Sequence, residues 1–344
     1  MSKALTTKQK ILDLLEKTPE MTPGQLIIQL KLSPTIIYAN LKLLLHQQKI
    51  TKYGTTPNVI YALVAPEDQN STVIDPAQEA IISPAEKEYL NQNYMYIAEN
   101  GVEIKGYPAF IYWASSKNKN KDLKTLVREW ITVRKETAKY INNDGYLDMT
   151  DTTNRQFNHD GLLYKVFVSD FYTLPNGMGK TLLGTQVYYA KMSEVLRLTM
   201  QIANQVKPTM EKIIALHKVT VVGYIPHSKK RKIQFIPKFK EFIDLSFRKE
   251  IVLTKTYPTE IRVEQKTLRS TKERENNARQ TISLTKIPAL ANNDVVLLID
   301  DLVGSGATVH EMAKKIKRIN PQVVVIAYGI VGNADGRIEV ERAI

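Results

Sequence analysis

Cysteine is absent from all 344 residues of the chain. Its absence excludes disulfide frameworks, thiolate metal sites, iron–sulfur clusters and a cysteine nucleophile. A chain without cysteine is compatible with the reducing cytoplasm, which is the location we expect.

Long apolar runs are also missing. No run approaches the roughly 20 residues that a membrane-spanning helix needs, and the first residues, Met1 to Ala4, lack the apolar stretch of a secretory signal. We therefore expect no membrane partner. The charged fraction of 24% is ordinary for a folded protein, and the length predicts two or three domains.

Acidic residues are fewer than basic ones. The chain has 35 Asp and Glu and 48 Lys and Arg, which gives a net charge of +13. Such a surplus predicts a polyanionic partner, either nucleic acid or a phosphorylated small molecule. The excess is concentrated in two segments. Residues 1–65 hold eight Lys, no Arg and three acidic residues, and residues 226–286 hold sixteen basic and seven acidic residues.

The first 65 residues have the pattern of three helices followed by a β-hairpin. Helix starts are indicated at Thr6-Thr7, Thr22-Pro23 and Ser33-Pro34, because hydroxyl caps and proline at the first helical position are typical of helix N-termini. Two short β-type runs, residues 50–53 and 59–63, follow with turn-forming residues between them. This order resembles the bacterial winged helix-turn-helix domains that bind DNA.

In that geometry the third helix enters the major groove and the hairpin lies near phosphates. The resemblance implies the following DNA-contacting residues: Thr35, Tyr38, Ala39, Lys42, Lys52 and Tyr53. Because the segment has no Arg, the commonest bidentate reader of guanine is missing. Protein contact or dimerisation therefore stays open as an alternative role.

Residues 66–84 are rich in Pro, Asp, Ser and Asn, a composition typical of a linker. Residues 85–189 are predicted to form a mixed α+β region whose role stays unassigned. The patterns within this region predict a hairpin around 95–104, a helix over 122–141, and strands over 163–173 and 182–189.

Gly179-Lys180-Thr181 is similar to the end of a phosphate-binding P-loop. Leu174, however, occupies the position of the first glycine of that motif, and we predict a strand after it where a P-loop requires a helix. The segment is therefore interpreted as a polar turn.

The most informative motif is VVLLIDDLVGSGAT at residues 295–308. Its apolar run predicts a buried strand of a parallel sheet, and Asp300 and Asp301 follow at the carboxyl end, where open α/β sheets bind ligands. The loop from Gly304 to Thr308 can direct backbone N–H groups and hydroxyls to a phosphate at the start of a helix predicted over 310–318. Adjacent carboxylates suit vicinal hydroxyls or a metal-bound diphosphate, so the motif predicts a ribose 5-phosphate site.

These residues resemble the fingerprint of the type I phosphoribosyltransferases: an apolar strand, two acids, two apolar residues and a small-residue loop. The resemblance implies an α/β chain with a Rossmann-like parallel-sheet domain over residues 190–344. It implies that Asp300 and Asp301 are the catalytic pair that binds the ribose hydroxyls of phosphoribosyl pyrophosphate, and that Mg²⁺ comes with the ligand rather than on direct protein ligands. The 5-phosphate would be held by Val303, Gly304, Ser305, Gly306, Ala307 and Thr308. The departure from the fingerprint is Gly304, where the family usually has Thr or another small residue.

Two basic segments agree with this resemblance. An apolar strand predicted over 219–225 precedes a pyrophosphate loop with the residues His227, Ser228, Lys229, Lys230 and Arg231. Residues 265–277 are similar to the flexible loop of the ComF subgroup, phosphoribosyltransferase-like proteins linked to natural competence. That similarity implies mobile-loop contacts from Lys266, Arg269 and Arg274. ComF proteins usually begin with a cysteine-rich zinc ribbon, which a chain without cysteine does not have.

Three functions follow from these resemblances. The chain is a phosphoribosyltransferase coupled to DNA, a non-catalytic transcriptional regulator that senses phosphoribosyl pyrophosphate, or a ComF-like accessory protein that handles DNA. The expected partners are a ribose 5-phosphate ligand and DNA, and a homodimer is left open.

Overall fold

The computed structural model describes most of the chain, apart from short segments and the side chains of residues 53, 116 and 117. The described residues are 6–18, 20–47, 49–53, 59–63, 82–97, 103–117, 122–192, 196–227, 233–246, 248–256 and 270–333.

The N-terminal unit, residues 7–63, contains three helices and a small antiparallel sheet with the strand order β1-β3-β2. Its elements are α1 (Thr7–Lys17), β1 (Glu20–Met21), α2 (Pro23–Leu30), α3 (Pro34–His46), β2 (Ile50–Tyr53) and β3 (Ile60–Leu63). The side chains of Thr6, Thr22 and Ser33 each accept a hydrogen bond from a first-turn N–H group. These caps explain why the helices begin where the sequence predicts.

A helical module follows, and most of the predicted linker before it lies outside the described residues. Its elements are α4 (Pro84–Asn93), β4 (Met95–Ile97), β5 (Glu103–Lys105), α5 (Gly106–Lys117) and α6 (Leu123–Ala138). Strands β4 and β5 pair antiparallel, which confirms the predicted hairpin, and α6 lies within the predicted helix. Trp130 is fully buried beside Tyr94 and Phe110, with ring centroids 5.2 and 5.9 Å away. These aromatic residues therefore form a core.

The largest element is a seven-stranded sheet with the order β10-β9-β8-β11-β12-β7-β6. Its strands are β6 (Leu147–Asp148), β7 (Lys165–Phe171), β8 (Val221–Tyr224), β9 (Lys249–Lys255), β10 (Ile282–Lys286), β11 (Val295–Val303) and β12 (Val324–Gly332). The five inner strands run parallel, and the two edge strands pair antiparallel. The chain is thus of the mixed α/β class.

Helices cover both faces of this sheet. They are α7 (Thr150–Arg155), α8 (Leu182–Met192), α9 (Leu196–Leu216), α10 (Phe235–Ile243), α11 (Thr271–Thr281) and α12 (Ala307–Ile319). In β11, Leu297 and Ile299 pack with residues of α8, α9 and α10, whereas Val296 and Leu298 pack with residues of α11 and α12. This two-sided burial explains the unbroken apolar run of the strand.

The strand predicted over 182–189 is wrong, because these residues form α8. The hydroxyl of Thr181 accepts a hydrogen bond from the Gly184 N–H, which caps the helix. Leu183, Val187 and Ala190 then recur at helical spacing on the buried side. Tertiary burial of this stripe overrides the β-propensity of its aromatic and β-branched residues.

The seven-stranded sheet spans the domain boundary predicted at residue 190, since β6 and β7 come from before it. Buried Arg134 of α6 also donates two hydrogen bonds to Asp170 of β7, at 2.9 and 2.8 Å, and joins the helical module to the sheet. Within the described part of the chain, no helix is long and apolar enough to cross a membrane.

Candidate functional site

A pocket of about 420 Å³ lies at the carboxyl ends of the parallel strands. Strands β8 and β11 are neighbours, but the chain continues from β8 to β9 on one side and from β11 to β12 on the other. Loops therefore diverge at this point of the sheet and leave a crevice, which is where open α/β sheets bind ligands. The lining includes residues that follow β7, β8, β9, β11 and β12.

Asp300 and Asp301 both line the pocket, near the end of β11. The Asp301 N–H donates to the Asp300 carboxylate at 2.8 Å. Lys191, at the end of α8, donates to Asp301 Oδ1 at 2.8 Å, and the two side chains are only 29% and 13% exposed. The two carboxylates and this lysine form the polar floor of the pocket.

The electrostatics of this floor differ from those of exposed carboxylates. Burial, followed by the charge of Asp301, raises the pKa of Asp300 to about 7, against the lowering effect of Lys191. Burial lowers the pKa of Lys255, at the end of β9, while the charge of Asp300 opposes that shift. Asp300 can thus accept or release a proton near neutral pH.

The loop after Asp301 turns into α12 through Gly306, which has φ +80°. An added Cβ there would lie 2.3 Å from Thr153 Cγ2, whereas at Gly304 it would meet only Asn333, at an ordinary 3.5 Å. Gly306 is therefore required by the backbone, and Gly304 is not. Gly306 is also the N-cap of α12 and provides no side-chain cap, so the first turn presents backbone N–H groups to the pocket.

All residues of the predicted phosphate loop line this pocket, namely Val303, Gly304, Ser305, Gly306, Ala307 and Thr308. His227 from the predicted pyrophosphate loop and Arg274 from the predicted mobile loop line it as well. Ser228, Lys229, Lys230, Arg231, Lys266 and Arg269 lie outside the described residues. The structure thus brings together segments that are far apart in the sequence.

Further residues that were not predicted from the sequence also line the pocket. Tyr172 follows β7, and Tyr188, Lys191 and Met192 lie on α8. Lys180 Nζ lies 5.5 Å from the centre of the Tyr172 ring and 4.5 Å from that of Tyr188. The lysine of the P-loop-like segment therefore packs on these rings. The local signals for α8 were its helical spacing and the hydroxyl cap from Thr181, and the predicted strand obscured both.

The N-terminal unit presents a separate polar surface on α3. Thr35, Tyr38, Ala39 and Lys42 are exposed on this helix, while Lys52 is exposed on β2. The side chain of Tyr53 lies outside the described residues. The same helix also exposes Ile36 and Leu43, at 43% and 50%.

No known protein family matches the chain, and comparison with curated proteins finds no matching relative.

Proposed function

We propose that the pocket binds phosphoribosyl pyrophosphate or another ribose 5-phosphate ligand, as the resemblance to type I phosphoribosyltransferases implies. The observation that carries this proposal is that Asp300, Asp301 and the whole 303–308 loop line one pocket with His227 and Arg274. These residues supply carboxylates for hydroxyls, backbone N–H groups for a phosphate, and cations for a diphosphate.

In this proposal the ribose lies over the end of β11. Carboxylate oxygens accept hydrogen bonds from vicinal hydroxyls, and Asp300 and Asp301 are adjacent at the pocket floor. The 5-phosphate lies at the first turn of α12, where backbone N–H groups and the helix dipole favour an anion. The loop from Gly304 to Gly306 consists of small residues, so a phosphate can approach its backbone closely.

The diphosphate would face His227, Lys255 and Arg274 on the β8 and β9 side of the pocket. Ser228, Lys229, Lys230 and Arg231 remain predictions for the same group. Among the described residues, no group of three or more His, Cys, Asp or Glu side chains could hold a metal ion. The proposal assigns Mg²⁺ to the diphosphate of the ligand, as the resemblance implies, where it would neutralise charge.

Transfer of the ribose 5-phosphate is the reaction this arrangement suits. A nucleophile attacks C1 of the ribose, the bond from C1 to the diphosphate oxygen breaks, and pyrophosphate leaves with the electron pair of that bond. Positioning and charge stabilisation are the contributions of the protein.

The test is calorimetric titration with Mg²⁺ and phosphoribosyl pyrophosphate. We expect the wild type to bind and the variant Asp300→Asn/Asp301→Asn to lose at least 100-fold in affinity. Asp151→Asn is a matched control, because Asp151 pairs with Arg155 on the exposed surface. Absence of binding by the wild type overturns the proposal, and pyrophosphate release with a panel of nitrogen bases separates transfer from binding alone.

A second candidate function is that of a DNA-binding regulator that senses the same ligand. It is favoured by a contact between the N-terminal unit and α9, one of the helices that cover the sheet. The backbone N–H of Arg197, in the first turn of α9, donates to Glu20 Oε2 at 2.7 Å, and its Nε donates to Glu20 Oε1 at 3.0 Å. The Arg197 guanidinium also pairs with Glu103 of β5. Five residues before Arg197, Met192 lines the pocket.

For this function the N-terminal unit would act as the winged helix that its sequence resembles, with α3 in the major groove. Ligand binding would change the DNA affinity by the same factor by which DNA binding changes the ligand affinity. We expect the dissociation constant for DNA to change at least fivefold when phosphoribosyl pyrophosphate is added. Equal DNA affinity with and without the ligand overturns the sensing function and leaves the binding proposal intact.

A further inference from the structure

Three elements that build the phosphate end of the pocket meet at one buried side chain, His310. It lies in the first turn of α12, is 3% exposed, and its backbone N–H donates to the Gly306 carbonyl. Its ring stacks on Phe157 with centroids 3.8 Å apart and an interplanar angle of 6°. Phe157 follows α7, which also packs against Gly306 through Thr153.

Both ring nitrogens of His310 face carboxylates. Nδ1 lies 2.8 Å from Glu275 Oε1 of α11, and Nε2 lies 2.8 Å from Asp160 Oδ2 in the segment after α7. An ionised carboxylate only accepts hydrogen bonds, so a ring nitrogen that carries a proton donates to the carboxylate it faces. The His310 side chain thus bridges two carboxylates that the fold places around it.

Glu275 directly follows Arg274, which lines the pocket. Further along the same helix pair, Arg279 of α11 bonds to fully buried Glu311 of α12 at 3.3 and 3.4 Å. Lys315 of α12 also donates to the Arg279 carbonyl at 2.8 Å. Helix α11 is therefore held on α12 by successive polar contacts, and the contact nearest the pocket holds the turn that carries Arg274.

We propose that His310 is a positioning residue for anion binding: its two hydrogen bonds hold the turn of α11 that carries Arg274 in the geometry that binds the diphosphate of the ligand. The inference rests on the proposed ribose 5-phosphate site. Without the ring, the Glu275 carboxylate beside Arg274 loses a hydrogen-bond partner.

The test is a double-mutant cycle, with the affinity for Mg²⁺ and phosphoribosyl pyrophosphate measured by calorimetry and folding checked by thermal unfolding. His310→Gln and Arg274→Met should each weaken binding about tenfold. His310→Gln in the Arg274→Met background should weaken it no further, because His310 acts through Arg274. His310→Gln/Glu275→Gln should recover most of the affinity by removing the uncompensated carboxylate, a rescue that a merely structural role does not produce.

Asp160→Asn keeps the ring stack and the Glu275 contact, and it serves if His310→Gln fails to fold. It should weaken binding less than threefold, and it should have no effect in the Arg274→Met background. If the losses of affinity from His310→Gln and Arg274→Met are additive, or if Glu275→Gln does not restore affinity to His310→Gln, the positioning role of His310 is overturned and the proposed site is not. A wild type that binds no phosphoribosyl pyrophosphate overturns the site itself, so the two failures are distinguishable.

Discussion

The pocket at the end of β11 and the outer face of α3 differ in how their polar groups are held. In the pocket, Asp301 and Lys191 are mostly buried and bonded to each other, and Gly306 has a backbone that other residues rarely adopt. On α3, Thr35, Tyr38 and Lys42 project from a helix with three side-chain anchors, Ile37, Leu41 and Leu44, beneath it. The first surface depends on the whole sheet, and the second depends on one amphipathic helix.

This difference determines how each surface responds to substitution. Burying charge raises the energy of the folded state unless partners compensate it, so changes in the pocket alter stability together with binding. Exposed side chains on α3 contribute little to folding, so changes there should alter binding alone. The following predictions test that distinction, from the largest expected effect to the smallest.

Asp300→Asn should make the protein more stable at pH 8 while it removes ligand binding. Asp300 binds its proton more tightly in the folded state, since burial raises its pKa to about 7 from an ordinary value of 3.8. The wild type therefore loses stability as pH rises from about 4 to 7, by an upper bound of roughly 4 kcal/mol. Urea unfolding of both proteins at pH 4 and pH 8 measures the difference. Parallel pH profiles for the two proteins would contradict the proposed burial cost.

Gly306→Ala should destabilise the fold by roughly 1–3 kcal/mol, because it combines a positive φ with a clash against Thr153. It should also displace the phosphate loop and weaken ribose 5-phosphate binding, measured by calorimetry. Gly304→Ala is the matched control, since a Cβ there meets only Asn333 at 3.5 Å. Equal stability and equal affinity of the two alanine variants would show that the positive φ of Gly306 does not limit binding.

Lys42→Ala/Lys52→Ala should weaken DNA binding by about 1 kcal/mol and lower the salt dependence of the affinity, because the variant neutralises fewer phosphates and releases fewer counterions. Unfolding free energy should stay unchanged. Electrophoretic mobility shifts over a range of salt concentrations measure the effect, with Lys139→Ala as a control on the exposed end of α6. A loss of stability in the double lysine variant would contradict the expectation that changes on this surface alter binding alone.

Local signals predicted much of the fold. Thr22, Ser33 and their following prolines placed α2 and α3, and the apolar run of β11 placed the central strand and the acids after it. They failed at residues 182–189, where burial against the sheet, together with a local cap from Thr181, selects a helix. They also failed to find Tyr172 and Lys191, because no local pattern states which distant residues share a pocket.

The sequence by itself determined the strand, loop and helix that carry Asp300, Asp301 and Gly306, because caps, apolar periodicity and glycine act over a few residues. The tertiary structure decided what surrounds them. Lys191 reaches Asp301 across 110 residues, and His310 meets Asp160 across 150. Such contacts depend on how the parallel strands are ordered in the sheet, and that order comes from packing the whole core rather than from any single segment.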